Sequence, residues 1–298
     1  GFFFSSKRRH TISNSVTRVQ TCALPISNWN VRDLLEKYLP PLIEAMSGNP
    51  RNEIVVVDNG STDGSADFVR TAFPSVRLVA LPENLGFGGG SNRGFQEAKN
   101  DIVVLLNSDM RVDRGFLQPL LDAFTDEKVF AVSSQIFFSD PNKKREETGL
   151  TQAWWSSGFL RVRHVEDDQV NEPFPCFYPG GGSSAIDRRK FLSLGGFDHL
   201  LRPFYLEDTD IGYMAWKRGW KVYYQPGSKV WHEHRGTIGR KFSQSYIDGV
   251  LYKNLILFCW KNIHSFSGIC SHLLNSWIGA ILRDRKSTRL NSSHRIRS

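Results

Sequence analysis

One acidic side chain at the end of a predicted strand could hold a metal ion and a nucleotide. Residues 102–106 form an unbroken apolar run, and Asn107-Ser108-Asp109 follows it directly. A buried lone carboxylate is costly, so Asp109 needs a partner such as a helix N-terminus, a basic side chain or a cation. It lies too far upstream to cap the helix predicted from Arg114. Because Mg²⁺ and Mn²⁺ are commonly held by a carboxylate and substrate phosphates, a metal-bound diphosphate is the favoured partner.

A second acid, Asp58, is predicted at the tip of the strand over residues 53–57. The residues after it, Asn59-Gly60-Ser61, are typical of a turn that leads into a helix N-cap. This turn explains Ser61 but does not require Asp58. In open α/β sheets, ligands bind beyond the carboxyl ends of the strands. Asp58 is therefore a candidate acceptor of hydrogen bonds from a nucleobase or a ribose.

An acidic cluster in the second half of the chain could supply a general base. Glu207, Asp208 and Asp210 begin a predicted helix, where the helix dipole favours acids. Three acids in four residues exceed the needs of capping, and like charges this close raise one another's pKa, which can create a general base. His232 follows a short predicted strand. A lone histidine is more often structural, but a neighbouring metal-binding carboxylate would make His232 a ligand.

The glycine-rich stretch NLGFGGGSNRG covers residues 84–94. It is a weak dinucleotide fingerprint, because that fingerprint follows the first strand of a sheet and this stretch follows a later one. A tight loop that brings a helix N-terminus close to a phosphate is the better interpretation.

Short β-branched runs alternate with helical stretches over the first half of the chain. Pro40-Pro41 should bend or interrupt the first helix. This alternation predicts an α/β fold with a Rossmann-like, mostly parallel sheet and helices on both faces. The predicted strands cover residues 53–57, 76–80, 102–106 and 129–133, and the predicted helices cover residues 31–46, 63–73, 89–98 and 114–124.

The second half is less regular. The regular pattern dissolves over about residues 137–176, where residues 139–144 are a loop by composition, and two short strands are predicted at 221–224 and 229–231. Residues 246–282 are predicted to form one or two C-terminal helices. No run there reaches the roughly 18 apolar residues that a membrane-spanning helix needs. An amphipathic helix that lies on the protein or on a membrane surface is expected instead.

Both termini resemble translated sequencing-adapter sequence, in SSKRRHTISNSVTRVQTCALPIS and in RKSTRLNSSH. Residues 1–27 and 283–298 are therefore predicted to be artefactual tails, and the first strand of the sheet is expected to be missing. The tails carry +4 and +5 of the formal net charge of +8, which leaves −1 for residues 28–282. A near-neutral body argues against a nucleic-acid partner. Four cysteines without a CxxC pair favour a reducing cytoplasm.

Six motifs stand in the order found in inverting family 2 glycosyltransferases: DNGSTDGS, NLGFGGGSNRG, LNSDM, GGGSSAIDRRKFLSLGGFD, FYLEDTD and VWHEH. Over about residues 28–261 the chain resembles this family, and its bacterial rhamnosyltransferase-like branch most of all. The resemblance implies a GT-A domain over 28–245, with a nucleotide-binding half to about 133 and an acceptor half after it. It also implies metal-dependent transfer from a nucleoside-diphosphate sugar to a glycan or lipid-linked acceptor.

The resemblance assigns a role to each matched residue. Asp208 corresponds to the catalytic base, and Glu207 is its acidic neighbour. Asp109 and His232 correspond to ligands of Mn²⁺ or Mg²⁺, and Asn107 replaces the first acid of the Asp-x-Asp metal motif. The matched nucleotide- and donor-binding positions are Trp29, Asp58, Asn84, Gly86, Asn92, Asn107, Gly181 and Gly182.

Two other functions stay open on the sequence. A non-catalytic nucleotide-sugar binding protein would need the nucleotide site alone, although Glu207, Asp208 and His232 argue against an inactive lineage. A sugar nucleotidyltransferase shares the sheet and an acidic metal site, but residues 28–33 lack the glycine-rich basic loop expected there. The donor stays open between dTDP-rhamnose, a UDP-hexose and another sugar, as does peripheral attachment to the inner face of a bacterial plasma membrane.

Overall fold

The computed structural model of the chain describes residues 21–140, 142, 147–233 and 238–295. The strands are β1 (Cys22–Asn28), β2 (Glu53–Asp58), β3 (Arg77–Ala80), β4 (Ile102–Asn107), β5 (Met110–Val112), β6 (Val129–Phe138), β7 (Thr151–Ser156), β8 (Phe159–His164), β9 (Phe174–Pro175), β10 (Ser183–Asp187) and β11 (Lys221–His232). The helices are α1 (Arg32–Met46), α2 (Ser65–Ala72), α3 (Gly86–Glu97), α4 (Leu117–Asp122), α5 (Arg188–Ser193), α6 (Glu207–Lys217), α7 (Ile238–Lys241), α8 (Gln244–Asn262) and α9 (Phe266–Arg295).

The central sheet has the strand order β3-β2-β1-β4-β10-β6-β11-β5, and β9 pairs with β11. Strands β3, β2, β1 and β4 are parallel to one another, as are β6 and β11. Strand β10 is inserted antiparallel between β4 and β6. Because β10 is reversed, its first residue, Ser183, pairs with Leu106 near the end of β4. The predicted mostly parallel α/β sheet is therefore confirmed.

The expectation that the first strand is missing is wrong. Residues 22–28 form β1 between β2 and β4. Ala23, Leu24 and Ile26 are buried there, and their apolar side chains explain why this segment fits the centre of a sheet. The boundary predicted at residue 27 therefore falls inside the sheet. The rest of that predicted tail, residues 1–20, lies outside the described residues.

Strand β4 sends alternate side chains into two separate core layers. Ile102, Val104 and Leu106 pack with residues of α1 and α4. Val103 and Leu105 pack with residues of α3, α5 and α6. Successive side chains of a strand point to opposite faces, so a strand buried on both sides reads as a continuous apolar run. Helices cover both faces of the sheet, as predicted.

The structure differs from three local expectations. Pro40 and Pro41 do not interrupt α1, which Leu35, Leu39 and Leu42 hold against the sheet. The stretch 137–176 contains regular structure although its sequence pattern dissolves, because β6 extends through Phe138 and β7 and β8 form a hairpin that packs on α8. The two short strands predicted after residue 220 are one strand, β11, interrupted by a register shift between Gln225 and Lys229.

The C-terminal helices turn one apolar face outward. Among the α9 residues whose burial is described, His272 is the buried one, and its Nδ1 lies 2.8 Å from the carbonyl oxygen of Gly158. Its exposed apolar side chains recur at helical spacing: Phe266, Ile269, Leu273, Leu274, Trp277 and Ile278. The helix runs through the domain boundary predicted at residue 282. Among the described residues, no helix is both long and apolar enough to span a bilayer.

Candidate active site

A cavity of about 740 Å³ opens where the carboxyl ends of β1 and β4 meet the start of α6. Every residue predicted for the site lines this cavity except Asp58 and Asn92. The residues that line the cavity come from distant parts of the chain, and the sheet topology brings them together.

The reversed strand β10 joins the metal motif to the acidic helix. Asn107 N donates to the carbonyl oxygen of Gly182 at 3.0 Å, and Gly181 N donates to Asp208 Oδ2 at 3.1 Å. A Cβ added at Gly182 would lie 2.4 Å from Asn107 Nδ2, and one at Gly181 would lie 3.2 Å from Asp208 Oδ2. The two glycines therefore let the backbone approach both groups closely, which a larger residue would prevent.

A left-handed turn presents the acids of α6 to the cavity. Tyr205 and Leu206 have φ values of +76° and +71°, although neither is glycine. Such conformations cost on the order of 1–3 kcal/mol each and tend to occur at functional sites. The turn places Glu207 and Asp208 at the first helical positions, beside the glycine segment.

The two acids differ in protonation at neutral pH. Burial raises the pKa of Asp208 to about 6, and the N–H groups of Thr209 and Gly181 oppose this shift. Burial, together with the charge of Asp208, raises the pKa of Glu207 to about 8. Asp208 is thus ionised near pH 7 while Glu207 keeps its proton. A carboxylate with a pKa just below the working pH is suited to accept a proton from a bound hydroxyl.

The predicted metal ligands lie next to each other. Asp109 Oδ1 is 3.3 Å from His232 Nε2, but this contact lacks hydrogen-bond geometry, and the buried oxygen has no hydrogen-bond partner in the described part of the chain. His232 Nδ1 lies 2.9 Å from Glu147 Oε2. Burial lowers the pKa of His232, but the carboxylates of Asp109 and Glu147 outweigh it and raise the pKa to about 10.

This arrangement fits a divalent cation that binds together with a diphosphate. Within the described ranges, no group of three or more His, Cys, Asp or Glu side chains is arranged to hold a metal ion. Asp109 offers one unpartnered, buried carboxylate oxygen, and His232 stands beside it. Mg²⁺ is usually held by one or two carboxylates plus substrate phosphates rather than by an all-protein cage.

Another wall of the cavity carries a stacked aromatic pair. Trp29 lines it and stacks on Phe242, with ring centroids 6.1 Å apart and planes 24° apart. Asn59 Nδ2 donates to Asn84 Oδ1 at 3.1 Å and to the carbonyl oxygen of Gly86 at 3.0 Å. These bonds fix the loop that precedes α3 against the end of β2.

Asp58 and Asn92 lie behind this wall. Asp58 is 2% exposed and accepts hydrogen bonds from Asn28 Nδ2 and Ser61 N, each at 3.0 Å. Asn92 Nδ2 donates to the carbonyl oxygen of Phe197 at 2.9 Å, and its Oδ1 accepts from Phe197 N at 2.8 Å. These bonds order the loops around the cavity. The donor contact predicted for Asp58 and Asn92 stays a prediction.

Sequence reasoning missed several polar residues that line the cavity, among them Glu147, His164 and Tyr178. Thr148 N donates to His164 Nδ1 at 3.3 Å, so the neutral ring carries its proton on Nε2 and donates to Tyr178 Oη, 3.2 Å away. The Tyr178 hydroxyl hydrogen is then free to point elsewhere. Glu147 and His164 gave no signal because they fall in a stretch without a regular sequence pattern.

Comparison with known proteins identifies a family. The model of the family described as Glycosyl transferase family 2 matches residues 26–191, which is more than half of the chain. N-acetylgalactosaminyltransferase 6 of Drosophila melanogaster is 26% identical over 218 residues, which cover 70% of this chain and 32% of that protein. N-acetylglucosaminyl-diphospho-decaprenol L-rhamnosyltransferase of Mycobacterium tuberculosis is 26% identical over 239 residues, which cover 69% and 74%. The chain thus spans about a third of the first relative and about three quarters of the second.

Solved structures share the fold. The crystal structure of GalNAc-T7 with UDP, GalNAc and Mn²⁺ has a TM-score of 0.59 at 21% identity and covers 71% of this chain and 43% of that one. The mannosyltransferase PcManGT from Pyrobaculum calidifontis in complex with GDP-Man and Mn²⁺ has a TM-score of 0.52 at 18% identity, with coverage of 88% and 80%. These likenesses confirm the GT-A fold.

Proposed function

The chain belongs to glycosyl transferase family 2, and we propose that it is a metal-dependent, inverting glycosyltransferase that uses a nucleoside-diphosphate sugar. The observation that carries this proposal is the meeting of two acids on one cavity. Asp208 is a buried carboxylate with a pKa of about 6, and Asp109 is a buried carboxylate whose Oδ1 accepts no hydrogen bond from the described residues. The first suits proton transfer, and the second suits a cation on the leaving diphosphate.

In the proposed reaction, Asp208 accepts the proton of the acceptor hydroxyl while that oxygen attacks the anomeric carbon. The bond between the sugar and the diphosphate breaks, and the nucleoside diphosphate leaves with the bonding electrons. A single in-line displacement inverts the anomeric centre, so the site needs no covalent nucleophile. Asp109 and His232 would hold Mn²⁺ or Mg²⁺, which supplies charge neutralisation at the leaving group when bound. Glu207 stays protonated near pH 7 and leaves Asp208 the charged member of the pair.

The donor is proposed from the site and from the relatives. Trp29 offers a ring for a nucleobase, and Asn84 and Gly86 border the same wall. The fold neighbours were solved with UDP or with GDP-Man, each with Mn²⁺, and one bacterial relative is named a rhamnosyltransferase. These relatives support a UDP-, GDP- or dTDP-sugar, with dTDP-rhamnose among the candidates.

We propose a glycan or lipid-linked acceptor at a membrane surface. The name of the Mycobacterium tuberculosis relative includes a diphospho-decaprenol acceptor. The apolar face of α9 points away from the protein, and its aromatic side chains include Phe266, 83% exposed, and Trp277, 67% exposed. Such a face is suited to lie in the interface of a bilayer. In a bacterium this would place the enzyme at the inner face of the plasma membrane.

Thermal melting with a panel of nucleotide sugars tests the proposed donor class. UDP-, GDP- and dTDP-sugars are added with Mn²⁺ or with a chelator, because a ligand that binds only the folded state raises its stability by about 2.7 kcal/mol at one hundred times its Kd. We expect a shift with one nucleotide class that disappears with the chelator. Asp109→Asn should lose this shift, and the exposed control Asp168→Asn should keep it. A cooperative melt that no donor shifts would contradict the proposal.

A further inference from the structure

We propose that Glu147 is a positioning residue that orients His232 toward the metal site. The inference rests on the proposed metal-dependent function. It concerns a residue that neither the sequence motifs nor the comparisons assign to the site. Glu147 lines the cavity, and its Oε2 lies 2.9 Å from His232 Nδ1.

Strand pairing holds the main chain of His232 in place but does not set the orientation of its imidazole ring. His232 pairs with Met110 on β5 and with Phe138 on β6, at the end of β11. Ser139 N also donates to the carbonyl oxygen of His232 at 2.9 Å. These bonds hold the main chain and not the imidazole. The Phe138 ring packs edge-on against it, with centroids 6.4 Å apart, and does not distinguish the two ring nitrogens.

The contact with Glu147 does distinguish the two ring nitrogens. A carboxylate accepts and does not donate, so Nδ1 carries a proton and donates it to Glu147. The other nitrogen, Nε2, then points to Asp109 Oδ1, 3.3 Å away. In the neutral ring this leaves the lone pair on Nε2, where a metal ligand needs it. Metal-binding histidines characteristically donate their second N–H to a carboxylate, which fixes tautomer and orientation.

The placement of Glu147 suits this role. Its side chain is about one third exposed, whereas those of His232 and Asp109 are buried. It reaches His232 from the cavity side, and Thr148, next in the chain, donates through its N–H to His164. The residue is thereby anchored by its neighbour and approaches the ring from the side opposite Asp109.

The test measures metal binding rather than turnover. Mn²⁺ is titrated into the full chain with and without UDP, and free Mn²⁺ is followed by electron paramagnetic resonance. We expect Glu147→Ala to weaken Mn²⁺ binding by about 10- to 100-fold, the usual effect of removing such a partner. Glu147→Gln should fall between Ala and the parent, because its amide oxygen still accepts the Nδ1 hydrogen bond. The exposed residue Glu172 provides the matched control, Glu172→Ala.

A spectroscopic readout separates positioning from general stability. With diamagnetic Mg²⁺ and UDP, nitrogen-15 spectra should show the His232 proton on Nδ1 in the parent chain and in Glu147→Gln. The Ala variant should lose that single tautomer while melting cooperatively in chelator. A change confined to the melting temperature, with the tautomer kept, would overturn the proposal.

The outcomes distinguish this inference from the proposed function. Unchanged Mn²⁺ affinity in Glu147→Ala, with a parent chain that binds Mn²⁺, would overturn only the role of Glu147. Equal losses in the Gln and Ala variants would also overturn it, because Glu147 would then be a metal ligand itself. A parent chain that binds no Mn²⁺ with or without UDP would refute the metal site, and the inference would fall with it.

Discussion

Replacing Asp208 by Asn removes the proposed base with little change in shape. General-base catalysis contributes about 10²- to 10⁴-fold, so we expect the transfer rate to fall by that factor. This corresponds to about 3–5 kcal/mol at 1.36 kcal/mol per tenfold change. Donor binding should persist, because Asp208 lies on the far side of the glycine segment from Asn107. Asp208 accepts hydrogen bonds from Gly181 N and Thr209 N, and Asn can accept only one of them. Because Asn also buries no charge, the free energy of unfolding should change little.

The pH dependence of the parent enzyme follows from the same group. With a pKa of about 6, Asp208 is about nine tenths ionised at pH 7 and about one tenth ionised at pH 5. The ionised form is the active one, so the rate at saturating donor and acceptor should fall about tenfold between these pH values. The transfer rate should decline on the acid side of the pH profile, because burial raises the pKa of the Asp208 carboxyl toward neutrality.

Steady-state transfer assays from pH 5 to pH 8, with the donor identified by thermal melting, measure both effects. The matched control is Asp248→Asn, an exposed acid on α8, which should keep the parent rate and profile. If Asp208→Asn retained transfer within tenfold of the parent, the base would lie elsewhere. A parent profile that stayed flat down to pH 5 would refute the same reasoning, even if the variant were slow.

Three further variants test other parts of the site. Asp109→Asn removes a carboxylate that raises the pKa of the buried His232, so it should melt cooperatively but at a lower temperature than the parent in chelator, and it should bind Mn²⁺-dependent donors at least tenfold more weakly by calorimetry. Burial holds the pKa of Glu207 at about 8 against an ordinary 4.5, so the folded state binds the extra proton between these values and stability falls as pH rises through them. Glu207→Gln removes that loss, so its melting temperature should exceed that of the parent at pH 8 but match it at pH 4. Gly182→Ala places a Cβ 2.4 Å from Asn107 Nδ2 and should weaken donor binding, whereas Gly48→Ala, with nothing within 4 Å, should not.

The first half of the sheet was predictable because its signals are local. The apolar runs in residues 53–106 are the strands β2, β3 and β4, of which β2 and β4 are largely buried and β3 is half-buried at the sheet edge. The ends of parallel strands meet at one edge, so Asp109 could be placed near the nucleotide site before its neighbours were known. Strand β1 was missed because residues 22–27 were excluded on their resemblance to adapter sequence, although Ala23, Leu24 and Ile26 are apolar.

The rest of the site depends on contacts between residues far apart in sequence. Glu147 and His232 are 85 positions apart and meet beyond the parallel pair β6 and β11. No local pattern encodes that pairing. Similarly, the residue types of Asp58 and Asn92 predict ligand contact, but no local pattern predicts their hydrogen bonds to Asn28 and Phe197.

The reversal of β10 also separates the part of the chain that forms the parallel strands from the part that lines the mouth of the cavity. Between the end of β6, beside His232, and the start of β10, beside Asn107, the chain forms the β7–β8 hairpin and the short strand β9, which pairs with β11. Residues 139–182 therefore begin and end at the mouth of the cavity, and they contribute Glu147, His164 and Tyr178 to it. Evolution can lengthen, shorten or exchange the β7–β8 hairpin while the ladders between β4, β10, β6 and β11 keep their register. Under the proposed function, one scaffold could thereby acquire new acceptors without redesign of its nucleotide half.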